Sequence, residues 1–461
     1  MFLTGDISIP IILLSVLVGY LFGVFSGLVP GIHTNNFALL LVALSPMMSD
    51  YGIQPFYIAV IILSNSIAHT FHDIIPAIFL GAPDSDMALA VLPGHRLLLD
   101  GFGAEAIRLS ALGSAGSIVF SMIIVLPLAA TFSIVYPVLQ DHIAWVLIFI
   151  VFLMVATEKG AYIIGQGSLA HYKYKGYAIV LFLISGALGL FAFEMEGLMD
   201  PVINFGAPSI ILPLLSGLFG ASQLVISLLT HSTIPPQTFA KMTLSGKRIV
   251  RGIITGSVAG SIVAWLPGIS SAIAAVLARL FVRKDFDSEG EGEEGDEGKV
   301  DSDGVDAGSK EFIVSVSGVN TSNAIFGLVA LSVIGKTRSG AMVAINDVLG
   351  TANGVIGGVI TLDTSTLLLF FGVILLTAFL SYFSTIMIGN NVHRVLSRID
   401  YSKLCVGVII GLALMVVAFT GFFGLLIFII ATPIGMLAPF FKVRKSNAMG
   451  VILLPVILYF I

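Results

Sequence analysis

The stretch Gly19-Tyr-Leu-Phe-Gly23-Val-Phe-Ser-Gly27-Leu-Val-Pro30-Gly31-Ile32 returns as Gly256-Ser-Val-Ala-Gly260-Ser-Ile-Val-Ala-Trp-Leu-Pro267-Gly268-Ile269, and Gly19, Gly23, Pro30, Gly31 and Ile32 each find their match 237 positions later. A constant offset over so many positions marks an internal duplication. Each copy is a long apolar run with small residues at every fourth place. Each is then broken by Pro-Gly, a pair that costs a helix interior about 3 kcal/mol for Pro and about 1 kcal/mol for Gly. Apolar helices broken at matching places of two halves point to a transporter binding site at the breaks.

The composition agrees with a membrane setting. Hydrophobic residues make up 57% of the 461 and charged residues 11%, against roughly 25% charged in soluble domains. The expected fold is therefore all-α: a polytopic membrane protein of two inverted repeats, each with re-entrant hairpins broken at Pro-Gly. Apolar runs of the ~20 residues that cross a bilayer, and shorter ones, predict ten to fourteen membrane helices, some of them half-length. The start, Met1-Phe-Leu-Thr-Gly-Asp6, has no basic n-region, and no small-residue cleavage site follows the first apolar run, so that run reads as a retained anchor. With Cys405 the single cysteine, neither an intramolecular disulfide nor a cysteine-built metal site is available.

Most of the net charge of −5 sits between Asp285 and Asp306, in a run of acid and Gly. Such a run cannot bury enough apolar surface to offset its ordering entropy. It lacks the EF-hand ligand spacing. The organisation expected is a first repeat over 1–240, the start of the second over 241–284, a disordered acidic loop over 285–310 and the rest of the second repeat over 311–461. Past the loop the register resumes at an offset of 254, which lays His69 over Asn323 and Asp84 over Arg338. Basic groups at Arg96/Arg108, Lys159/Lys173/Lys175, Lys241/Lys247/Arg248/Arg251, Arg394/Arg398/Lys403 and Lys442/Arg444/Lys445 would all be cytoplasmic by the positive-inside rule. They do not fit one simple inverted count, so the orientation stays open.

The candidate chemistry lies where apolar sequence is interrupted. After the first Pro-Gly come His33, Thr34, Asn35 and Asn36, and after the second Ser270 and Ser271. These are mostly N-cap residue types. At the start of a half-helix, free amides and the positive dipole end favour an anion, so Pro30, Gly31, His33, Thr34, Asn35, Asn36, Pro267, Gly268, Ser270, Ser271 and Asn323 are candidate substrate-binding residues. The alternative for each break is an ordinary surface turn with plain caps. The stripes Gly19/Gly23/Gly27 and Gly252/Gly256/Gly260 read as close helix packing.

Ionisable groups inside apolar helices are functional candidates by default. His69 and His72, followed by Asp73, lie at i, i+3 on one expected helix face, where they could carry a proton, meet an anion or serve as satisfied structural histidines. Asp84 and Asp86, in the Gly81-Ala-Pro83-Asp84-Ser85-Asp86 interruption, could hold a cation such as Na⁺ or stand in an aqueous loop. His69, His72, Asp84 and Asp86 are thus the candidate ion-coupling groups. No third ligand or HExxH pattern supports a metal site. The chain shows no Walker A, nucleophile elbow or dinucleotide fingerprint and no soluble domain for a nucleotide or nucleic acid, which argues against an enzyme.

With the Gly-spaced helix, Leu28-Val29-Pro30-Gly31 and its echo Trp265-Leu266-Pro267-Gly268 in hand, the chain resembles the permease family of tripartite tricarboxylate transporters, the large TctA-type subunit, over nearly its whole length. The resemblance implies uptake of a di- or tricarboxylate across the cell membrane, driven by an H⁺ or Na⁺ gradient, with Pro30, Gly31, Pro267 and Gly268 lining the site. It also implies two partners, a small membrane subunit and an extracytoplasmic binding protein. A homodimer is a further expectation. His33-Thr34-Asn35-Asn36 departs from the small residues usual after the first Pro-Gly, as in an outlying, archaeal-like branch that could work alone. Movement of a polyprenyl-phosphate carrier and a non-transporting scaffold are the alternatives.

Overall fold

The computed structural model describes residues 8–29, 34–81, 85–158, 170–203, 209–230, 237, 242–265, 271–281, 307–337, 339–352, 360, 362–396 and 401–461. Both Pro-Gly pairs, His33, Ser270, Asp84 and residues 285–306 of the acidic loop lie outside them, as do the side chains of Asn35, Asn36 and Asp86, whereas 307–310, expected to belong to the loop, are helical.

The first part of the chain forms α1 (Ile9–Leu28), α2 (Thr34–Asp50), α3 (Pro55–His72), α4 (Ile74–Phe79), α5 (Val91–Leu99), α6 (Gly103–Asp141), α7 (Ile143–Ala156), α8 (Ala170–Glu194), α9 (Ile211–Leu215) and α10 (Ser222–Leu229). The second forms α11 (Gly246–Trp265), α12 (Ser271–Phe281), α13 (Ala307–Ile334), α14 (Gly340–Ala352), α15 (Thr364–Leu396), α16 (Tyr401–Phe440) and α17 (Gly450–Phe460). Short 3₁₀ turns occupy Ser85–Ala90 and Lys445–Met449, and a π-helix, Ser216–Ala221, joins α9 to α10. Proline stands in the first turn of α1 and of α3, where its missing N–H removes nothing from the helix.

Eight helical stretches among the described residues are long and apolar enough to cross a membrane, and five more apolar helices run only 10–17 residues. Together these thirteen lie within the ten to fourteen expected, some of them half-length. A π-helix links α9 and α10 into one stretch, Ile211–Leu229. α16 is two helical segments that meet at a kink at Gly421, whose φ of 71° lies in the left-handed region that favours glycine.

Burial ranks the helices. The stretch Pro55–Phe79 is wholly buried and Ala307–Ile334 is 89% buried, whereas α1 is only 33% buried and presents Leu13, Leu17, Leu21 and Phe25 outward. α3 and α13 are therefore the central pair, and most polar side chains on them are buried, with Asn323 half-buried. One core cluster joins α3 to α1, α14 and α15; another joins α4 and α5 to α8, α13, α16 and α17. Near the starts of α6, α11 and α13, buried Lys310 pairs with Glu105 at 3.0 Å and Glu311 pairs with Arg248 and Arg251. The linker between the halves is pinned at the same place, where the Thr243 N–H donates to Glu105 at 2.7 Å. Arg248 and Arg251 thus serve a structural ion pair, whatever side of the membrane they mark.

Candidate functional site

The glycine stripes bring the candidate residues together. A Cβ at Gly19, Gly23 or Gly27 would fall within 3.0 Å of the carbonyl oxygen of Ile61, Asn65 or His69 on α3; one at Gly252, Gly256 or Gly260 would meet that of Glu311, Ser315 or Val319 on α13. Each first-half glycine faces the residue 42 positions on, and each second-half glycine the residue 59 positions on. The two helix pairs are packed in one register, and the difference between 42 and 59 is the same 17 positions by which the sequence offset changes from 237 to 254. In that register His69 of α3 and Asn323 of α13 occupy corresponding places.

Around His69 the close approach of α1 builds a buried polar cluster. Ser26 Oγ, next to Gly27, lies 3.0 Å from His69 Nδ1 and 3.4 Å from Asn65 Oδ1. Asn65 is fully buried, and its Nδ2 has no hydrogen-bond partner. Such a group costs about 1–3 kcal/mol when left unmade, and among the described residues nothing supplies the oxygen it would donate to. His72 looks elsewhere: its Nδ1 meets the Ala68 carbonyl at 2.7 Å and its Nε2 meets Ser384 Oγ of α15 at 2.8 Å. Although the two histidines share a helix, each is held by a different neighbour, His69 by Ser26 and His72 by Ser384.

Where α3 crosses α13, Thr70 Oγ1 and Thr321 Oγ1 lie 3.3 Å apart, and the Asn320 amide donates to Asp73 Oδ2 at 2.6 Å. Asp73 is buried, at the end of α3, with its N–H on the His69 carbonyl. Helix C-terminal carbonyls and a carboxylate together favour a cation or a proton. On the α13 side, Asn323 Nδ2 donates to Ser271 Oγ at 2.8 Å, so two of the second-half candidates meet directly. Thr34 and Ser271 are buried at the starts of α2 and α12.

Of the candidates read from sequence, the structure groups His69 with Ser26 and Asn65, and Asn323 with Ser271, and it puts His72 on α15. Pro30, Gly31, His33, Pro267, Gly268, Ser270 and Asp84, with the side chains of Asn35, Asn36 and Asp86, lie outside the described residues. Ser26, Asn65, Asn320 and Ser384 join the cluster without having been selected as site residues. Ser26 carried one signal, a hydroxyl inside a glycine stripe that faces a histidine helix; Ser384 carried none.

The family model described as the tripartite tricarboxylate transporter TctA family matches residues 13–450. An uncharacterized protein of Methanocaldococcus jannaschii is 28% identical over 454 residues, which cover 97% of this chain and 99% of that protein. No solved structure matches.

Proposed function

Since the chain belongs to the tripartite tricarboxylate transporter TctA family, we propose that it is the membrane component that carries a small organic anion, a di- or tricarboxylate, across the cell membrane on an H⁺ or Na⁺ gradient. The single observation that carries the site is the common register of the two glycine-striped helix pairs, which sets His69 and Asn323 at corresponding places, with Asn323 against Ser271 at the start of α12. In this reading the two halves are inverted repeats, and the segments Pro30–Asn36 and Pro267–Ser271 form the facing tips that hold the carboxylate groups through amides, hydroxyls and side-chain nitrogens. Asn65 Nδ2 supplies one further donor.

The ion-linked part lies on the first-half side: His69, His72, Asp84 and Asp86, to which Asp73, with its N–H on the His69 carbonyl, is added. The two halves are chemically unequal, as a carrier needs if one side meets a cation and the other an anion. A small membrane subunit and an extracytoplasmic binding protein complete the system in a tripartite family, and they are the partners proposed here. Family membership favours a carboxylate over a polyprenyl phosphate as cargo.

The test is uptake of radiolabelled di- and tricarboxylates into liposomes holding the purified chain, with and without the two partner proteins, under imposed H⁺ or Na⁺ gradients. Accumulation of at least one carboxylate against its gradient is expected. Binding of every tested carboxylate that is unchanged by removing the tip side chains would sink the site.

A further inference from the structure

Lys445 belongs, by sequence, to a basic group of three, Lys442, Arg444 and Lys445. The structure separates them. Arg444 donates to Glu158 at 3.2 Å, and Asn447 donates to the same carboxylate oxygen at 2.8 Å, so the carboxylate nearest this turn is already engaged on both sides of Lys445. Lys445 itself turns inward and is buried. Its Nζ donates to the Phe219 carbonyl at 3.1 Å and to Ser222 Oγ at 2.8 Å, and Ser222 in turn donates its own hydroxyl to the Leu218 carbonyl at 2.6 Å. Among the described residues no carboxylate reaches it within ion-pair distance. The Phe219 ring centre, 5.8 Å away, is at the outer limit of a cation–π contact and compensates little.

The count of acceptors is what decides the protonation chemistry. An ammonium has three N–H donors and no acceptor, and among the described residues only two acceptors meet it. A neutral amine has two N–H groups, which match the Phe219 carbonyl and Ser222 Oγ, and a lone pair left over. Burying a charge without a counter-ion costs several kcal/mol, so the same surroundings that suit the amine oppose the ammonium. One of the two acceptors belongs to the π-helix, an element that gathers at functional sites.

We propose that Lys445 is a proton-exchanging group, separate from the paired helix tips, which takes up and gives back one proton at Nζ as the carrier changes state. In one state the Nζ lone pair accepts a proton from water or from a neighbouring imidazolium; in the other the ammonium returns it, and the amine settles back on Phe219 and Ser222. The titratable group within electrostatic reach is His95 of α5, whose Nε2 lies 3.4 Å from Ser227 Oγ and whose Nδ1 lies 3.3 Å from the Ile78 carbonyl. α10 contributes Ser222 and Ser227, both uncharged. α8, α16 and α17, packed against the same turn, carry Tyr172, Lys173, Tyr174, Lys175, Tyr177, Glu194, Lys403, Cys405 and Tyr459 along their lengths, and none of these bonds to Lys445. Arg444 and Glu158 neutralise each other. The proposal rests on the chain being a gradient-driven carrier, which is why its test has one arm independent of transport.

In that arm the full chain, with isotopically labelled lysine side chains, is titrated in lipid, and the Lys445 signal is identified by its absence in Lys445→Met. The expected result is a Lys445 signal that changes between ammonium and amine positions within the pH range where the protein stays folded, and that changes at a different pH in Ser222→Ala. A signal that stays at one position throughout overturns the proposal. In the second arm, carboxylate exchange and pH-gradient-driven accumulation are compared in liposomes. Lys445→Met and Lys445→Arg, the latter fixed in the charged form, should keep exchange while losing at least tenfold in gradient-driven accumulation. Wild-type accumulation in either variant overturns the proposal too. Should the wild-type chain neither exchange nor accumulate any carboxylate, the carrier reading fails, and the titration alone then decides the chemistry of Lys445. Ser222→Ala, which leaves the lysine in place, keeps the titration informative if Lys445→Met does not fold.

Discussion

At the scale of single residues, the pair Asn323–Ser271 is the most direct handle on the site, because both groups are neutral, both were candidates, and one hydrogen bond of 2.8 Å joins them. Removing either partner should cost about 0.5–1.5 kcal/mol, or roughly two- to tenfold in affinity for a bound carboxylate. Anion binding to purified Asn323→Ala, Ser271→Ala and the double variant should show non-additive losses; strictly additive losses would mean that the bond plays no part in holding the ligand. His72 is a different case. Its Nδ1–H on the Ala68 carbonyl leaves Nε2 to accept from Ser384, so Ser384→Ala should destabilise the folded protein by about 1–3 kcal/mol, read as a lower melting temperature, with carboxylate affinity unchanged. The sequence made His69, His72 and Asn323 visible because ionisable and amide groups stand out in apolar helices. It could not show that His69 faces Ser26 while His72 faces Ser384, since those contacts join positions 43 and 312 residues apart. Lys445 was hidden for a related reason: a count of basic residues carries no direction, and only the fold turns this one inward.

Helices and their joins were the more legible scale, and the reason is steric. A glycine stripe has one common use in a membrane helix, the close approach of another backbone, and both stripes do meet a facing helix through its carbonyls. Gly23→Leu on α1 and Gly256→Leu on α11 should therefore each destabilise the protein by 1–3 kcal/mol or more through overpacking. At Gly176 a Cβ would meet nothing within 4 Å, and Gly176→Leu should leave the melting temperature within a degree or two. Equal effects at all three positions would contradict the packing.

The start of α15 offers a pH test outside the apolar spans. Hydroxyls of Ser365 and Thr366 donate to Asp363 and hold its carboxyl below the usual carboxylate value. A lowered native value means that the stabilisation is present above about pH 3.9 and is lost as the pH falls through the native value. Asp363→Ala should cost about 1 kcal/mol at neutral pH, measured by thermal melting, and almost nothing well below that range. Local backbone geometry is what hydropathy does not resolve. The π-helix at Ser216–Ala221 carries one helical stretch through Ile211–Leu229, whereas the non-helical backbone at Gly421 divides α16 into two segments, and hydropathy does not distinguish a join from a break.

For the whole molecule the open question is which gradient does the work, and here the two halves make a specific forecast. The first half holds His69, His72 and Asp73 in the buried centre, whereas the second presents Asn320 and Asn323 from α13. Among the described residues named at the crossing of α3 and α13, those that can change charge belong to the first half. If protons drive transport, accumulation should fall as the external pH rises, and His69→Gln should flatten that fall without abolishing exchange. If sodium drives it, the response to pH should be weak, and Asp84→Asn should raise the Na⁺ concentration needed for half-maximal accumulation at fixed pH. Lys445 separates the proton case further, because it lies away from the central crossing on the Phe219–Ser222 join. A carrier that uses both groups should lose part of its pH response in His69→Gln, part in Lys445→Met, and all of it in the double variant. Uptake into liposomes with imposed gradients decides the matter: a wild-type protein that equilibrates its carboxylate without ever concentrating it, whichever gradient is applied, would be a facilitator, and the gradient-driven reading would be withdrawn.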